Sequence, residues 1–172
     1  MKQKNLYVLV GIPGSGKSYW GTDLARRMGY AYISRDAIRF SLLKDDEDYF
    51  AHEDEVFNIF CDKINEALTN NTNVIADATH LSEVNRYRLL SNLNLDNVKL
   101  TAVKFETPLN VCIERNNKRP GRLAVPISVV CNMHKRITDP KNDTMFYFDT
   151  VWYVNSKGEV KRIYTNMNEG DD

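Results

Sequence analysis

Short apolar runs alternate along the chain with longer stretches in which apolar residues recur every three or four positions. The short runs suit buried strands, and the longer stretches suit amphipathic helices. A strand, helix, strand order predicts right-handed crossovers and therefore a mostly parallel sheet with helices on its faces. The predicted strands are residues 6–10, 30–34, 73–76, 98–105 and 151–154, with an antiparallel edge strand at 159–164. The predicted helices are residues 19–28, 53–70, 82–92, 109–118 and 127–137.

Residues 11–18 read GIPGSGKS and match the phosphate-binding loop (Walker A) pattern completely. Glycines in such a loop let the backbone N–H groups turn inward around an anion. Lys17 would supply positive charge to the terminal phosphates, and Ser18 is a candidate Mg²⁺ ligand at the start of the next helix. A glycine-rich turn without nucleotide is the alternative. The predicted nucleotide-binding residues in this loop are Gly11, Pro13, Gly14, Ser15, Gly16, Lys17 and Ser18.

The loop and the strand order together predict an α/β fold of the P-loop NTPase type. We expect a three-layer sandwich with a mostly parallel five-stranded sheet, a helical lid at about residues 115–136 and a C-terminal hairpin whose turn is Asn155-Ser156-Lys157-Gly158. No repeat or linker interrupts the pattern, so residues 1–172 are expected to form one domain. The absence of a recognisable secretory signal or a long apolar run predicts a cytoplasmic protein. The three cysteines, Cys61, Cys112 and Cys131, are interpreted as reduced packing residues.

A second polar motif follows the strand at residues 30–34. Asp36 and Arg39 lie three positions apart at the carboxyl edge of the predicted sheet, where open α/β folds bind ligands. One interpretation is a carboxylate that accepts a hydroxyl proton, paired with an arginine that holds the acceptor. The other is an N-capping Asp beside a surface Arg.

A third motif, Asp77-Ala78-Thr79, ends the strand at residues 73–76. Asp77 stands where a second nucleotide-binding motif would place its carboxylate, either to orient the hydration shell of Mg²⁺ or to fix Arg39. The alternative is an Asp that forms a turn. His80 is interpreted as a surface histidine, and Arg86 is expected on the polar side of the following helix.

The net charge is zero, but the charges cluster in two places. Seven carboxylates between Lys44 and Glu55 are interpreted as a solvated face. Four cations (Arg115, Lys118, Arg119 and Arg122) surround the beginning of a Gly-containing loop. Arg115 and Arg119 are expected on one side of the helix at 109–118. The cations predict a lid that closes over the nucleotide and excludes water, and the alternative is a polar helical hairpin.

Four elements stand in the order GIPGSGKS, SRDAIR, VIADATHL and ERNNKRPGRLAVPISVV. In this order they resemble the 5'-kinase domain of polynucleotide kinases, which transfer the γ-phosphate of ATP to the 5'-hydroxyl of DNA or RNA. The resemblance implies ATP with Mg²⁺ as cofactors and a nucleic-acid 5' end as substrate. It also implies catalytic roles for Asp36, Lys17, Arg115 and Arg119, with Asp36 as general base and Arg119 also binding the nucleotide. The acceptor-binding residues would be Arg39, on the 3'-phosphate of the terminal nucleotide, together with Asp77 and Thr79.

The chain departs from this family in ways that affect the expected acceptor. Ala37 stands where the family has a second acid after Asp36. The lack of a basic excess predicts that only terminal nucleotides are engaged. Two other functions stay open: a kinase acting on a small-molecule or modified-base hydroxyl, and a non-enzymatic ATP-binding switch. Asp36 beside two lid arginines argues against the switch, which needs no acceptor base.

Overall fold

A computed structural model describes residues 2–167 of the chain. Among these residues there are six strands and six α-helices, with 3₁₀ turns at Gly121–Leu123 and Pro140–Asn142. No helix in this range is both long and apolar enough to cross a membrane. The strands are β1 (Lys4–Val10), β2 (Ala31–Ser34), β3 (Val74–Asp77), β4 (Val98–Phe105), β5 (Thr150–Val154) and β6 (Val160–Thr165). The helices are α1 (Lys17–Met28), α2 (Arg35–Leu42), α3 (Glu53–Thr69), α4 (Glu83–Leu90), α5 (Leu109–Asn117) and α6 (Ile127–Arg136).

The strands form one sheet in the order β2-β3-β1-β4-β5-β6. Strands β1 to β5 pair in parallel, and β6 pairs antiparallel with β5. The sheet therefore has six strands rather than five. The sixth is the antiparallel edge strand predicted at residues 159–164, and β6 continues the backbone hydrogen bonding of the sheet there.

Alternate residues of β1 point to opposite faces of the sheet, and both faces are covered. Leu6, Val8 and Val10 pack in a core with residues of α3 and α4. Tyr7 and Leu9 pack on the other face in a core with residues of α1. These two cores confirm the three-layer α/β arrangement that the alternating pattern predicted.

Capping residues mark the end of α1 and the beginning of α4. Gly29 follows α1 with a φ of 69° and donates its N–H to Ala25, which is a left-handed C-cap. Ser82 precedes α4, and its side chain and that of Asn85 form a reciprocal capping box. These caps fix where each helix begins or ends relative to the sheet.

A third core cluster attaches the predicted lid to the phosphate-binding loop. It consists of Ile12 from the loop, Leu81 after β3, Cys112 of α5 and Val130 of α6. Gly14 has a φ of 82°, and a β-carbon there would collide with the carbonyl oxygen of Cys112. The first lid helix is therefore packed directly on the loop.

Arg86 is buried, contrary to the expectation that it lies on the polar side of its helix. Its Nε and Nη2 atoms donate to the two carboxylate oxygens of Asp143, each at 2.6 Å. Its Nη1 donates to the carbonyl of His80 at 2.9 Å. This bidentate ion pair ties α4 to the segment that follows α6, and paired burial explains how the charge is tolerated.

Candidate active site

The three polar motifs converge at the carboxyl edge of the sheet. The register of β2 and β3 places Ser34 opposite Asp77, so α2 starts beside the end of β3. The backbone N–H of Gly11 donates to the carbonyl of Thr79 at 3.1 Å, which joins the start of the phosphate-binding loop to the third motif. Parallel strands thus bring together residues that are far apart in sequence.

The phosphate-binding loop has the backbone and side chains that suit an anion. Gly16 precedes α1 with a φ of 99°, a conformation that favours glycine. Lys17 is buried, and its Nζ donates to the carbonyl of Ile12 at 3.0 Å. The Ser15 hydroxyl is also buried, and its oxygen has no hydrogen-bond partner among the described residues. A phosphate would supply acceptors for these groups.

Burial lowers the pKa of Lys17, and the nearby charges act in both directions. Asp77 is the largest opposing influence and raises the pKa, whereas the positive charge of Arg119 lowers it. The three groups therefore lie close enough to interact. The positive charge of Arg119 thus acts on the same lysine as the carboxylate of Asp77.

Ser18 and Asp77 form an oxygen-rich pair beside the loop. The Ser18 hydroxyl donates to Oδ2 of Asp77 at 2.7 Å, and the Tyr32 hydroxyl donates to the same oxygen. Hydroxyl and carboxylate oxygens are donors that suit Mg²⁺, so this pair fits the predicted metal position. Sequence reasoning did not identify Tyr32, because an aromatic residue in a strand is most simply a packing residue.

Asp36 and Arg39 project from one turn of α2 and contact each other directly. The Tyr49 hydroxyl donates to Oδ1 of Asp36 at 2.8 Å, and Arg39 also uses this oxygen. Within residues 2–167, neither bond to Asp36 involves Oδ2, and its side chain is 58% exposed. Ser34 caps α2 through its hydroxyl, so Asp36 is not the N-cap.

Glu53 is part of this cluster, whereas the sequence placed it on a solvated acidic face. Its Oε1 accepts from Nε of Arg39 at 2.7 Å, and its Oε2 accepts from Arg35 at 2.9 Å. Glu53 is the first residue of α3, where acidic residues are common, so its place in the helix did not single it out. Nothing in the sequence pattern singles out Tyr49.

The four lid cations occupy different places. Arg115 donates to the carbonyl of Ser156 in the hairpin turn at 2.8 Å. Lys118 pairs with Glu114 on its own helix. Helix α5 ends at Asn117, so Arg119 lies beyond the helix and does not share a helical side with Arg115. Arg122 donates to backbone carbonyls of the segment between α2 and α3.

A cavity lies between the phosphate-binding loop and the hairpin turn, next to Arg115. It is lined by Ser15, Gly16, Tyr19, Trp20 and the hairpin turn 155–158. The cavity is continuous with the start of α1 and combines aromatic walls with a guanidinium. These are surfaces on which a nucleobase and its sugar can pack.

His80 is buried, which corrects its interpretation as a surface histidine. Its Nδ1–H donates to the carbonyl of Leu9 at 2.7 Å, and its ring lies near that of Phe60. Burial lowers the pKa of His80 to about 3. The imidazole is thus a neutral packing group beneath the loop.

A family model described as an AAA domain matches residues 6–140. The chain belongs to this family. The match begins in β1 and includes the phosphate-binding loop, Asp36, Asp77 and all four lid cations.

Solved structures place this AAA domain among kinase-like P-loop folds. A chain of the Pnkp1/Rnl/Hen1 RNA repair complex is 24% identical with a TM-score of 0.69, covering 79% of this chain and 44% of that one. A gluconokinase from Sinorhizobium meliloti 1021 is 21% identical with a TM-score of 0.57, covering 91% and 85%. A fungal RNA kinase is 16% identical with a TM-score of 0.63, covering 92% and 81%. The chain thus spans less than half of the RNA repair protein that it matches.

Proposed function

We propose that the protein is an ATP-dependent kinase that phosphorylates the 5'-hydroxyl end of DNA or RNA. The observation that carries this proposal is the Asp36 and Arg39 pair, held beside the phosphate-binding loop. A nucleotide-binding switch has no use for an exposed carboxylate and a buried, oriented guanidinium at that position. A phosphotransferase needs both a base and a group that holds the acceptor.

Arg39 has the setting of an anion-binding residue. Its guanidinium is buried, is anchored by Glu53 and lies 4.4 Å above the Tyr49 ring. A guanidinium binds phosphate through its N–H groups. Glu53 already accepts from Nε and Nη2 of Arg39, so a phosphate would share or displace this carboxylate. In a nucleic-acid 5' end, a hydroxyl and a 3'-phosphate belong to the same nucleotide. We therefore assign the hydroxyl to Asp36 and the phosphate to Arg39.

The proposed transfer depends on position and charge. Oδ2 of Asp36 accepts the proton of the attacking hydroxyl, while Lys17 and Arg119 offset the charge that develops on the transferred phosphoryl group. Arg115 is assigned to the nucleotide at the hairpin side of the loop. Ser18 and Asp77 would hold Mg²⁺, which supplies further charge neutralisation when bound. The lid excludes water that would compete with the acceptor.

The similar structures support both a nucleic-acid and a small-molecule acceptor. Two of them are described as an RNA repair complex and an RNA kinase, which agrees with a nucleic-acid substrate. The gluconokinase matches this chain over most of both lengths, which favours a small-molecule hydroxyl as the second candidate acceptor. The same loop, base and lid would serve either acceptor.

The deciding experiment is transfer of labelled γ-phosphate from ATP, with Mg²⁺, to matched DNA and RNA oligonucleotides that carry a 5'-hydroxyl. We expect label at the 5' end and a loss of about 10²–10⁴-fold in kcat for Asp36→Asn. Asp96→Asn, at an exposed position between α4 and β4, is the matched control and should retain wild-type activity.

Two results would contradict the proposal. Label on gluconate or another small polyol, with none on either oligonucleotide, would establish the second candidate. Binding of ATP without transfer to any of these hydroxyls would indicate the switch.

A further inference from the structure

Tyr49 contacts both members of the proposed acceptor pair. Its hydroxyl donates to Oδ1 of Asp36 and accepts from Nη1 of Arg39, each at 2.8 Å. The ring is fixed by edge contacts with Phe40 and Phe50, whose centroids lie 5.9 and 4.8 Å away. The phenol is thus held at the junction between base and guanidinium.

The hydrogen bond from Tyr49 orients the Asp36 carboxylate. A phenol has one proton to donate, and here Asp36 receives it. Burial raises the pKa of Tyr49, and the negative charge of Asp36 adds to that effect, so the phenol stays protonated at neutral pH. Because Tyr49 and Arg39 both engage Oδ1, the carboxylate is oriented with Oδ2 available to a substrate hydroxyl.

The lid contacts the segment that contains Tyr49. Nη1 of Arg122 donates to the carbonyl of Lys44 at 3.1 Å, and Nη2 donates to that of Glu47 at 2.6 Å. The same two residues form a turn, in which the N–H of Glu47 donates to Lys44 at 3.2 Å. Glu47 is two residues before Tyr49, so Arg122 holds the backbone from which Tyr49 projects.

We propose that Tyr49 is a positioning residue for Asp36 and that Arg122 couples this positioning to the lid. The inference rests on the proposed function, because it takes Asp36 as the general base. When the lid lies against residues 44–47, Tyr49 is seated on the carboxylate. When the lid leaves, the segment loses two hydrogen bonds and the base loses its orientation.

Tyr49→Phe tests the positioning role, since it keeps the ring and removes only the hydroxyl. We expect kcat on a 5'-hydroxyl oligonucleotide to fall about tenfold, the rate equivalent of one hydrogen bond to a charged group. The KM for ATP should not change, and the melting temperature should fall only slightly, because Asp36 and Glu53 still accept from Arg39. Tyr147→Phe, at an exposed site, is the matched control. An unchanged kcat, or a higher acceptor KM with normal kcat, would overturn the positioning role.

Arg122→Ala tests the coupling. Hydrogen exchange of residues 43–50 should become faster than in the wild type, and the losses in kcat from Arg122→Ala and Tyr49→Phe should be less than multiplicative in the double variant. Unchanged exchange, or fully multiplicative losses, would overturn the coupling.

Asp36→Asn, measured in parallel, separates the positioning role of Tyr49 from the proposed role of Asp36 as general base. If Asp36→Asn is inactive and Tyr49→Phe is fully active, only the positioning inference fails. If Asp36→Asn retains wild-type kcat, the proposed base fails as well. The exchange measurement does not depend on turnover, so it decides the coupling even if no oligonucleotide is phosphorylated.

Discussion

The buried imidazole of His80 links a single residue to the acid stability of the protein. The pKa of His80 in the folded state is about 3, below its usual value near 6.5, because the ring is buried. The unfolded chain therefore binds one more proton than the folded chain between these two values. His80 therefore lowers the free energy of unfolding progressively as the pH falls through this window, and it has no such effect at higher pH.

We expect His80→Asn to flatten the pH dependence of unfolding. Between about pH 6 and 4, the free energy of unfolding of the wild type should fall by up to about 1.4 kcal/mol per pH unit more than that of the variant. Asparagine is chosen because it tolerates the φ of 44° at this position and can donate to Leu9. Urea unfolding at several pH values measures the difference.

The exposed His134 provides the control for this experiment. His134→Asn should leave the slope of the wild type unchanged. Identical slopes for the wild type and His80→Asn would show that the imidazole is not desolvated in the folded protein.

Single site residues could be predicted from the sequence where they belong to a motif with fixed spacing. The loop pattern singled out Lys17 and Ser18. The position of Asp77 after an apolar strand predicted a carboxylate at the Mg²⁺ hydration shell or on Arg39, and in the structure Asp77 accepts from Ser18. Burial was harder to predict, since polarity alone assigned His80 to the surface. Tyr49 was missed because it lies in an irregular segment whose path depends on tertiary contacts.

At the scale of elements, the lid joins several parts of the molecule through different arginines. Arg115 reaches the hairpin turn, the charge of Arg119 lowers the pKa of Lys17, and Arg122 reaches the segment after α2. An unbroken helix would have carried Arg115 and Arg119 on one side. The helix ends at Asn117, and this early end lets the two guanidiniums serve different parts of the site.

Arg119→Ala should reduce activity far more than stability. Loss of an arginine that offsets transition-state charge costs about 10³–10⁵ in kcat in phosphoryl transfer. Removal of this partly exposed side chain should change the free energy of unfolding by about 0.5 kcal/mol or less. Steady-state kinetics and urea unfolding of the same preparation give both values.

Arg26→Ala, on the exposed side of α1, is the control for Arg119→Ala. Arg26 pairs only with Asp23 among the described residues, so its loss should affect neither quantity strongly. A parallel loss of activity and stability in Arg119→Ala would contradict a role in the transition state.

Element boundaries were predictable where caps or prolines mark them. Gly29 ends α1 as expected, and Pro108 and Pro126 precede α5 and α6. The order of the strands was not predictable from the same signals. An apolar run shows that a strand is buried, but its neighbours are set by pairing with distant residues, as β3 pairs between β2 and β1.

At the scale of the whole molecule, the acidic and basic clusters meet. Arg122 of the basic cluster bonds to the backbone at Lys44 and Glu47, where the acidic cluster begins. Of the four lid cations, Arg122 makes this contact, and it does so through backbone carbonyls rather than through the carboxylates. The sequence showed both clusters but could not show that they are neighbours.

Nucleotide binding should raise the stability of the whole protein. A ligand at 100 times its Kd that binds only the folded state adds about 2.7 kcal/mol to the free energy of unfolding. We expect this increase with ATP in the wild type and its loss in Lys17→Met, which keeps an apolar stem in the buried position. Thermal unfolding with and without ATP measures it. Lys141→Met is the surface control, and equal stabilisation of both variants would exclude phosphate binding by Lys17.

The proposed acceptor groups Asp36, Arg39, Tyr49 and Glu53 all come from one uninterrupted stretch between β2 and β3. The groups assigned to the phosphate donor come from elsewhere in the chain. The edge strand β2 and the buried strand β3 bound this stretch and pair with each other over four residues. The stretch is therefore suited to chimeras, because exchanging residues 35–73 with those of a relative should transfer acceptor choice while leaving the donor side intact.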